Sequence, residues 1–163
     1  MTQRFQNLPE DAKVWVYAAS RKLTPAEQET VKAGADRFFS GWTAHNVPVE
    51  SAFEILDDLF LVIMVNEQNA AISGCGIDKS VAFMKEVERD LGLQLFNRTQ
   101  IEILIGNELA ITDKQGVKSL LENKRIAADT LTFNKTVVNK QQFDRQFRIP
   151  LEQAWFYRAL TSH

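Results

Sequence analysis

A single cysteine, Cys75, among 163 residues leaves no partner for a disulfide within the chain and no Cys-rich zinc site, and it fits a reducing compartment. No E-x-x-H, H-x-H or D-x-D cluster is present, so the common ligand spacings of a metal site are missing as well. The opening MTQRFQNLPEDAK has no apolar core of signal-peptide length. The longest uninterrupted apolar run, Leu59 to Val65, falls well short of the about 20 residues that cross a bilayer. These features predict a cytoplasmic protein without a membrane partner. With a net charge of -2, the chain also lacks the excess of positive charge that drives binding to nucleic acid or to anionic lipid. Internal repeats, low-complexity tracts and Gly/Ser linkers are not evident.

What remains is 45% apolar and 25% charged, the composition of one compact α+β domain over residues 1–163. KVWVYAAS, at Lys13 to Ser20, is β-branched and aromatic on both faces, which predicts a strand covered on each side. LTPAEQETVKAGADRFFSGW then changes period: Thr24 caps, Pro25 suits the first helical position, Glu27 completes a capping box, and Val31, Ala35, Phe38, Phe39 and Trp42 recur at helical spacing. SAFEILDDLFLVIMVNE reads as a hairpin turning at Asp57 and Asp58, with its second run as a central strand. Ile77, Val81, Met84, Val87 and Leu91 share one face of a second helix that Gly92 terminates. Two short strands around Gly106-Asn107 follow.

The predicted order is ferredoxin-like, βαββαβ, with an extra strand and a helical C-terminal extension. The core covers about 13–112 and the extension about 113–163. In the extension, Thr112 and Gln115 suggest a capping box for a helix over 113–124, DTLTFNKTVV is extended, and Pro150 opens a last helix packing Leu151, Ala154 and Trp155.

The stretch SGCGIDKSV, Ser73 to Val81, is the most conspicuous candidate site. Gly74, Lys79 and Ser80 mimic part of a phosphate-binding loop, G-x-x-x-x-G-K-[ST], but the spacing is one residue short and Asp78 stands where glycine must precede lysine. A carboxylate there repels phosphate, so nucleotide binding by this loop is rejected. The ordinary reading makes Asp78 the N-cap of the following helix, with Gly74 and Gly76 permitting a sharp entry.

Cys75 is either a buried inert thiol or a nucleophile activated at the helix start, with His45 as its base and His163 too close to the end to be held. For His45 the alternative is a satisfied histidine beside the negative end of the first helix. Glu67 with Asp78 offers paired carboxylates. Binding candidates are therefore Ser73, Gly74, Gly76, Asp78, Lys79, Ser80 and Glu67. No cofactor and no metal are expected.

Charge is uneven along the chain. Residues 1–113 carry 10 Lys/Arg against 17 Asp/Glu, whereas 114–148 carry 8 against 3. With Phe133, Phe143 and Phe147 interleaved, the basic stretch superficially suits single-stranded nucleic acid. The aromatic strand signature of RNA-recognition motifs is absent, however, and core phenylalanines beneath a solvated basic surface are the preferred reading.

Five segments together resemble a family of small uncharacterised bacterial proteins often labelled "ABC transporter ATPase": WTAH at Trp42 to His45, SGCGIDKSV at Ser73 to Val81, FNR at Phe96 to Arg98, DTLTFNKTV at Asp129 to Val137, and the Pro150 to Trp155 ending. The resemblance implies a self-contained module and carries over no catalytic residues. An ABC ATPase also needs a signature motif and a Walker B aspartate, which this chain lacks. The expectation is a non-catalytic module binding a small molecule or protein, not nucleic acid, with a Cys75–His45 thiol enzyme or a small-anion binder at the α-helix start as alternatives.

Overall fold

The computed structural model describes residues 5–44, 46–68 and 70–161. In chain order, a 3-10 turn at Phe5–Asn7 precedes β1 (Lys13–Ala18) and α1 (Pro25–Ser40). A two-residue pair, β2 (Thr43–Ala44) and β3 (Val47–Pro48), leads into β4 (Glu50–Leu56), β5 (Phe60–Asn66) and α2 (Gly74–Leu91). The chain continues through β6 (Ile101–Ile105), β7 (Glu108–Thr112), α3 (Lys114–Glu122), β8 (Leu131–Phe133), α4 (Lys140–Gln146), β9 (Arg148–Pro150), a 3-10 turn at Leu151–Gln153 and α5 (Tyr157–Thr161).

The architecture is mixed α+β with two larger antiparallel sheets, ordered β1-β5-β4 and β7-β6-β8-β9. The β4–β5 hairpin turns on Asp57 and Asp58, both left-handed at φ 54° and 58°, a conformation aspartate tolerates because its short side chain bonds locally. All seven residues of β5 are buried, which is why an uninterrupted apolar run was needed for a central strand.

Phe53 on β4 pairs with Ile63, and its ring packs on Phe39 of α1 and Phe83 of α2, so the helices cover that face. Phe60 lies on the other face of β5 and meets Phe133 and Phe147 from the C-terminal third at 4.8 and 5.1 Å between ring centroids. One apolar core thus joins β1, β5 and both long helices to Phe133, Val137 and Phe147, while a smaller cluster packs Ile101, Ile103, Val117 and Leu151 on the outer side of the second sheet.

Several expectations change. The strand after α2 does not join the first sheet beside β1; β6 pairs with β7 and β8 instead. β1 is consequently an edge strand, not one covered on each side. Its free edge is approached by the 135–140 segment, where the Val14 amide donates to the Val138 carbonyl at 3.1 Å and the Lys140 amide to the Ala12 carbonyl at 2.9 Å. The C-terminal third is not a mainly helical appendage, since β8 and β9 complete the second sheet. Asp113, not Thr112, caps α3, accepting from the Gly116 amide at 2.9 Å. Pro150 is followed by one 3-10 turn, and Trp155 lies 67% exposed rather than on a packing face. Among the described residues no helix is long and apolar enough to cross a membrane.

Candidate functional site

Ser73 to Ser80 is not a loop but the entry and first turns of α2. Ser73 has extended backbone, and its hydroxyl accepts from the Gly76 amide at 3.2 Å, which makes it the N-cap. Asp78 is therefore not the cap; it lies inside the helix and is exposed beside Lys79. The physical reason is that a serine hydroxyl one turn earlier claims the first orphan amide. The helix cost of glycine, roughly 1 kcal/mol at each of two positions, is offset by packing along an 18-residue helix.

The glycines do not form a sharp entry either. Gly74 stands in open space, whereas Gly76 is buried and a Cβ there would lie 2.9 Å from Ile72 Cγ1 and 3.5 Å from Trp42 Nε1. Ser80 is buried and its hydroxyl donates to the Ile77 carbonyl at 2.7 Å. The Gly76 and Ile77 amides are bonded to Ser73 and so are not available to wrap a phosphate.

Cys75 is exposed, which corrects the buried-thiol reading. His45 and His163 lie outside the described residues. Glu67 is tied to Lys13 Nζ at 2.7 Å and accepts from the Ile72 amide at 3.1 Å, linking the end of β5 to the entry of α2. Oε2 is thereby hydrogen-bonded and Oε1 ion-paired, although Oε1 is buried without a hydrogen bond among the described residues, and none of these contacts involves Asp78.

Three of the eight basic residues of the 114–148 stretch are ion-paired. Lys140 pairs with Asp144 at 2.8 Å, Arg148 with Asp57 at 3.2 Å and Lys135 with Glu102 at 2.9 Å, while Phe133, Phe143 and Phe147 stack in the core.

A different cluster forms along the free edge of β1, where a cleft of about 540 Å³ lies between Val16 and Tyr17, the 95–102 segment, the 133–136 segment and Trp155. Two walls of it are the same turn used twice. In Phe96-Asn97-Arg98-Thr99 the Asn97 side-chain oxygen accepts from the Thr99 amide and hydroxyl at 3.0 and 2.7 Å. In Phe133-Asn134-Lys135-Thr136 the Asn134 oxygen accepts from the Thr136 amide and hydroxyl at 3.1 and 2.6 Å. Asparagine closes such turns by imitating a backbone carbonyl, and each turn carries a basic residue at its third position.

Glu102 lies among the residues lining this cleft. On β6 it alternates with Ile101 and Ile103, which belong to the outer apolar cluster, and so projects from the opposite face. Its side chain is fully buried. Oε2 accepts from Lys135 Nζ at 2.9 Å and from Gln100 Nε2 at 2.7 Å. Gln100 Nε2 also donates to the Ala19 carbonyl at 2.9 Å, and Lys135 Nζ to the Gln100 carbonyl at 2.7 Å, so the cluster ties β6 to the end of β1. Oε1 is buried and has no hydrogen-bond partner among the described residues. An unsatisfied buried acceptor costs about 1–3 kcal/mol, so a donor reaching this oxygen would be stabilising.

The rim has the opposite sign. Arg98 is exposed, with no ion pair or hydrogen bond among the described residues. Lys85 Nζ sits 4.8 Å over the Phe96 ring and Lys114 Nζ 4.8 Å over the Trp155 ring. Tyr17 meets Phe96 edge-on at 5.4 Å, and burial pushes its phenol above the ordinary value. Sequence reading passed over this site. The signal that would have found it is the recurrence of F-N-[RK]-T at Phe96 and Phe133, too short to register as an internal repeat. Among the described residues no three His, Cys, Asp or Glu side chains converge as a metal site would require. Comparison with protein-family models, with curated proteins and with solved structures finds no match for this chain.

Proposed function

We propose that this protein is a non-catalytic cytoplasmic binding module, and that the cleft along β1 is where it holds a small molecule. The observation that carries the reading is the buried, unpartnered Oε1 of Glu102 among the lining residues of a cleft large enough for a ligand. Supporting it, two segments behind the family resemblance, Phe96–Arg98 and Asp129–Val137, contain the two walls that carry Arg98 and Lys135. The site pairs aromatic surface with a few convergent polar groups, a combination suited to orienting a ligand. Glu102 is engaged by Lys135 and Gln100, which favours recognition over proton transfer.

A fragment screen of planar, polar compounds followed by amide NMR tests this reading. Binders are expected to shift resonances of Tyr17, Phe96–Thr99, Asn134–Thr136 and the Trp155 indole together. Binders that leave all of these unmoved, or a screen without binders, would refute it.

A further inference from the structure

The charge layout of the cleft restricts what fits it, and this inference rests on the reading that the cleft is the binding site. Among the described residues that line the cleft Glu102 is the one carboxylate and is fully buried, whereas Arg98 is exposed, as are Lys85 and Lys114, which lie outside the lining over the Phe96 and Trp155 rings. A complementary ligand therefore carries a hydrogen-bond donor at one end and an anion at the other.

The buried end is more specific than a lone acceptor. Lys135 Nζ has three hydrogens, of which two go to the Gln100 carbonyl and Glu102 Oε2, leaving one uncommitted on the partner of a carboxylate whose Oε1 is also unpaired. An acceptor and a donor thus belong to one ion pair, which suits a molecular edge on which an N–H neighbours a ring nitrogen or carbonyl. Much of the rest of the lining is aromatic: Tyr17 and Phe96, which meet edge-on, and Trp155, 67% exposed.

We propose that the ligand is a nucleoside monophosphate, its base entering edge-first toward Glu102 Oε1 and Lys135, its ring against the aromatic walls and its phosphate at Arg98. Every part of that description answers to a group in the cleft. The base edge supplies the donor that Oε1 lacks, ring stacking is sequence-tolerant and worth having on exposed aromatic area, and the free guanidinium suits a phosphate bidentately. Asp78 and the α2 entry play no part.

Isothermal titration calorimetry on the full chain tests this with the four common 5′-monophosphates, the parent nucleosides, 1-naphthyl phosphate and inorganic phosphate. At least one monophosphate is expected to bind at least about tenfold tighter than 1-naphthyl phosphate, which has the ring and anion but no donor edge. Glu102→Gln should remove that advantage and leave naphthyl phosphate unaffected. Arg98→Ala should weaken the monophosphate about tenfold while leaving its nucleoside unchanged, and this exposed substitution keeps the test intact should Glu102→Gln fail to fold. Naphthyl phosphate binding as well as every nucleotide would overturn the ligand class while leaving the cleft as a site. So would a single-stranded oligonucleotide binding more tightly than any monomer. If the monophosphates fail but planar fragments still shift the cleft resonances, the nucleotide assignment alone falls; if no planar compound does so, both readings fall.

Discussion

Glu27 and Glu102 show how differently two carboxylates of one chain are used. Glu27 is half-buried at the start of α1, where it accepts from both guanidinium nitrogens of Arg21 at 2.9 and 2.8 Å and from the Thr24 amide at 2.9 Å. The Arg21 hydrogen bonds, followed by the Thr24 amide, hold its carboxyl down from the ordinary 4.5 to about 2. A carboxyl depressed by folding contributes stability that is fully present above its unfolded value and is lost as pH falls. The Glu27 contribution is thus expected to disappear between pH 4.5 and about 2. In urea titrations across that window, Glu27→Gln should lose stability less steeply than the parent chain, and added salt should shrink the difference. Parallel curves would show that Arg21 does not hold Glu27 in solution. Glu102, by contrast, is buried, and its ion pair with Lys135 prevents an uncompensated charge inside the protein while one oxygen stays without a hydrogen bond among the described residues.

At the level of elements, α2 separates two glycines that look equivalent in sequence. Gly74 occupies the first helical position with nothing near its would-be Cβ, whereas Gly76 presses against Ile72 and Trp42. Gly74→Ala is therefore expected to stabilise by about 0.4–1 kcal/mol through lower unfolded-state entropy. Gly76→Ala should cost about 1–3 kcal/mol in overpacking, against a helix-propensity gain of about 1 kcal/mol, and so come out neutral to destabilising. Chemical denaturation of the two variants checks that only Gly74→Ala stabilises; equal stabilisation by both would show that Ile72 yields freely. The capping box of α1 and the left-handed Gly92 ending α2 at φ 62° were legible in advance because each depends on neighbours within a few residues. The cap of α2 was not, since Ser73 and Asp78 are both good cap residues and only the packing of Gly76 and Ser80 beneath the helix selects the earlier one.

On the scale of the whole molecule, the two larger sheets are joined through aromatic rings. Phe60 is fully buried on β5 and touches Phe133 of β8 and Phe147 just before β9, while Arg148 reaches across to Asp57 in the β4–β5 turn. Phe60→Ala should cost about 3–5 kcal/mol and weaken both sheets together, so tryptophan fluorescence and far-ultraviolet dichroism should report one coincident transition shifted to lower denaturant. Separate transitions for the two probes would show that the sheets unfold independently. The same joining creates the cleft, because placing β6 and β8 near an unfilled length of the β1 edge leaves a concave strip between them.

The amino-acid order alone determined what depends on near neighbours: the elements around α1, β4, β5 and the β6–β7 hairpin, the Asp57-Asp58 turn, and the failure of SGCGIDKSV to match a phosphate loop. Those signals are periodicity, capping and turn chemistry, all of which act within about four residues. Which sheet β6 enters, that Phe133 and Phe147 belong to the main core, that Trp155 is exposed, and that Arg98, Glu102 and Lys135 line one cleft beside β1 were decided only by tertiary structure. Strand partners and converging side chains are chosen by burial between segments far apart in the chain, and no local pattern records that competition.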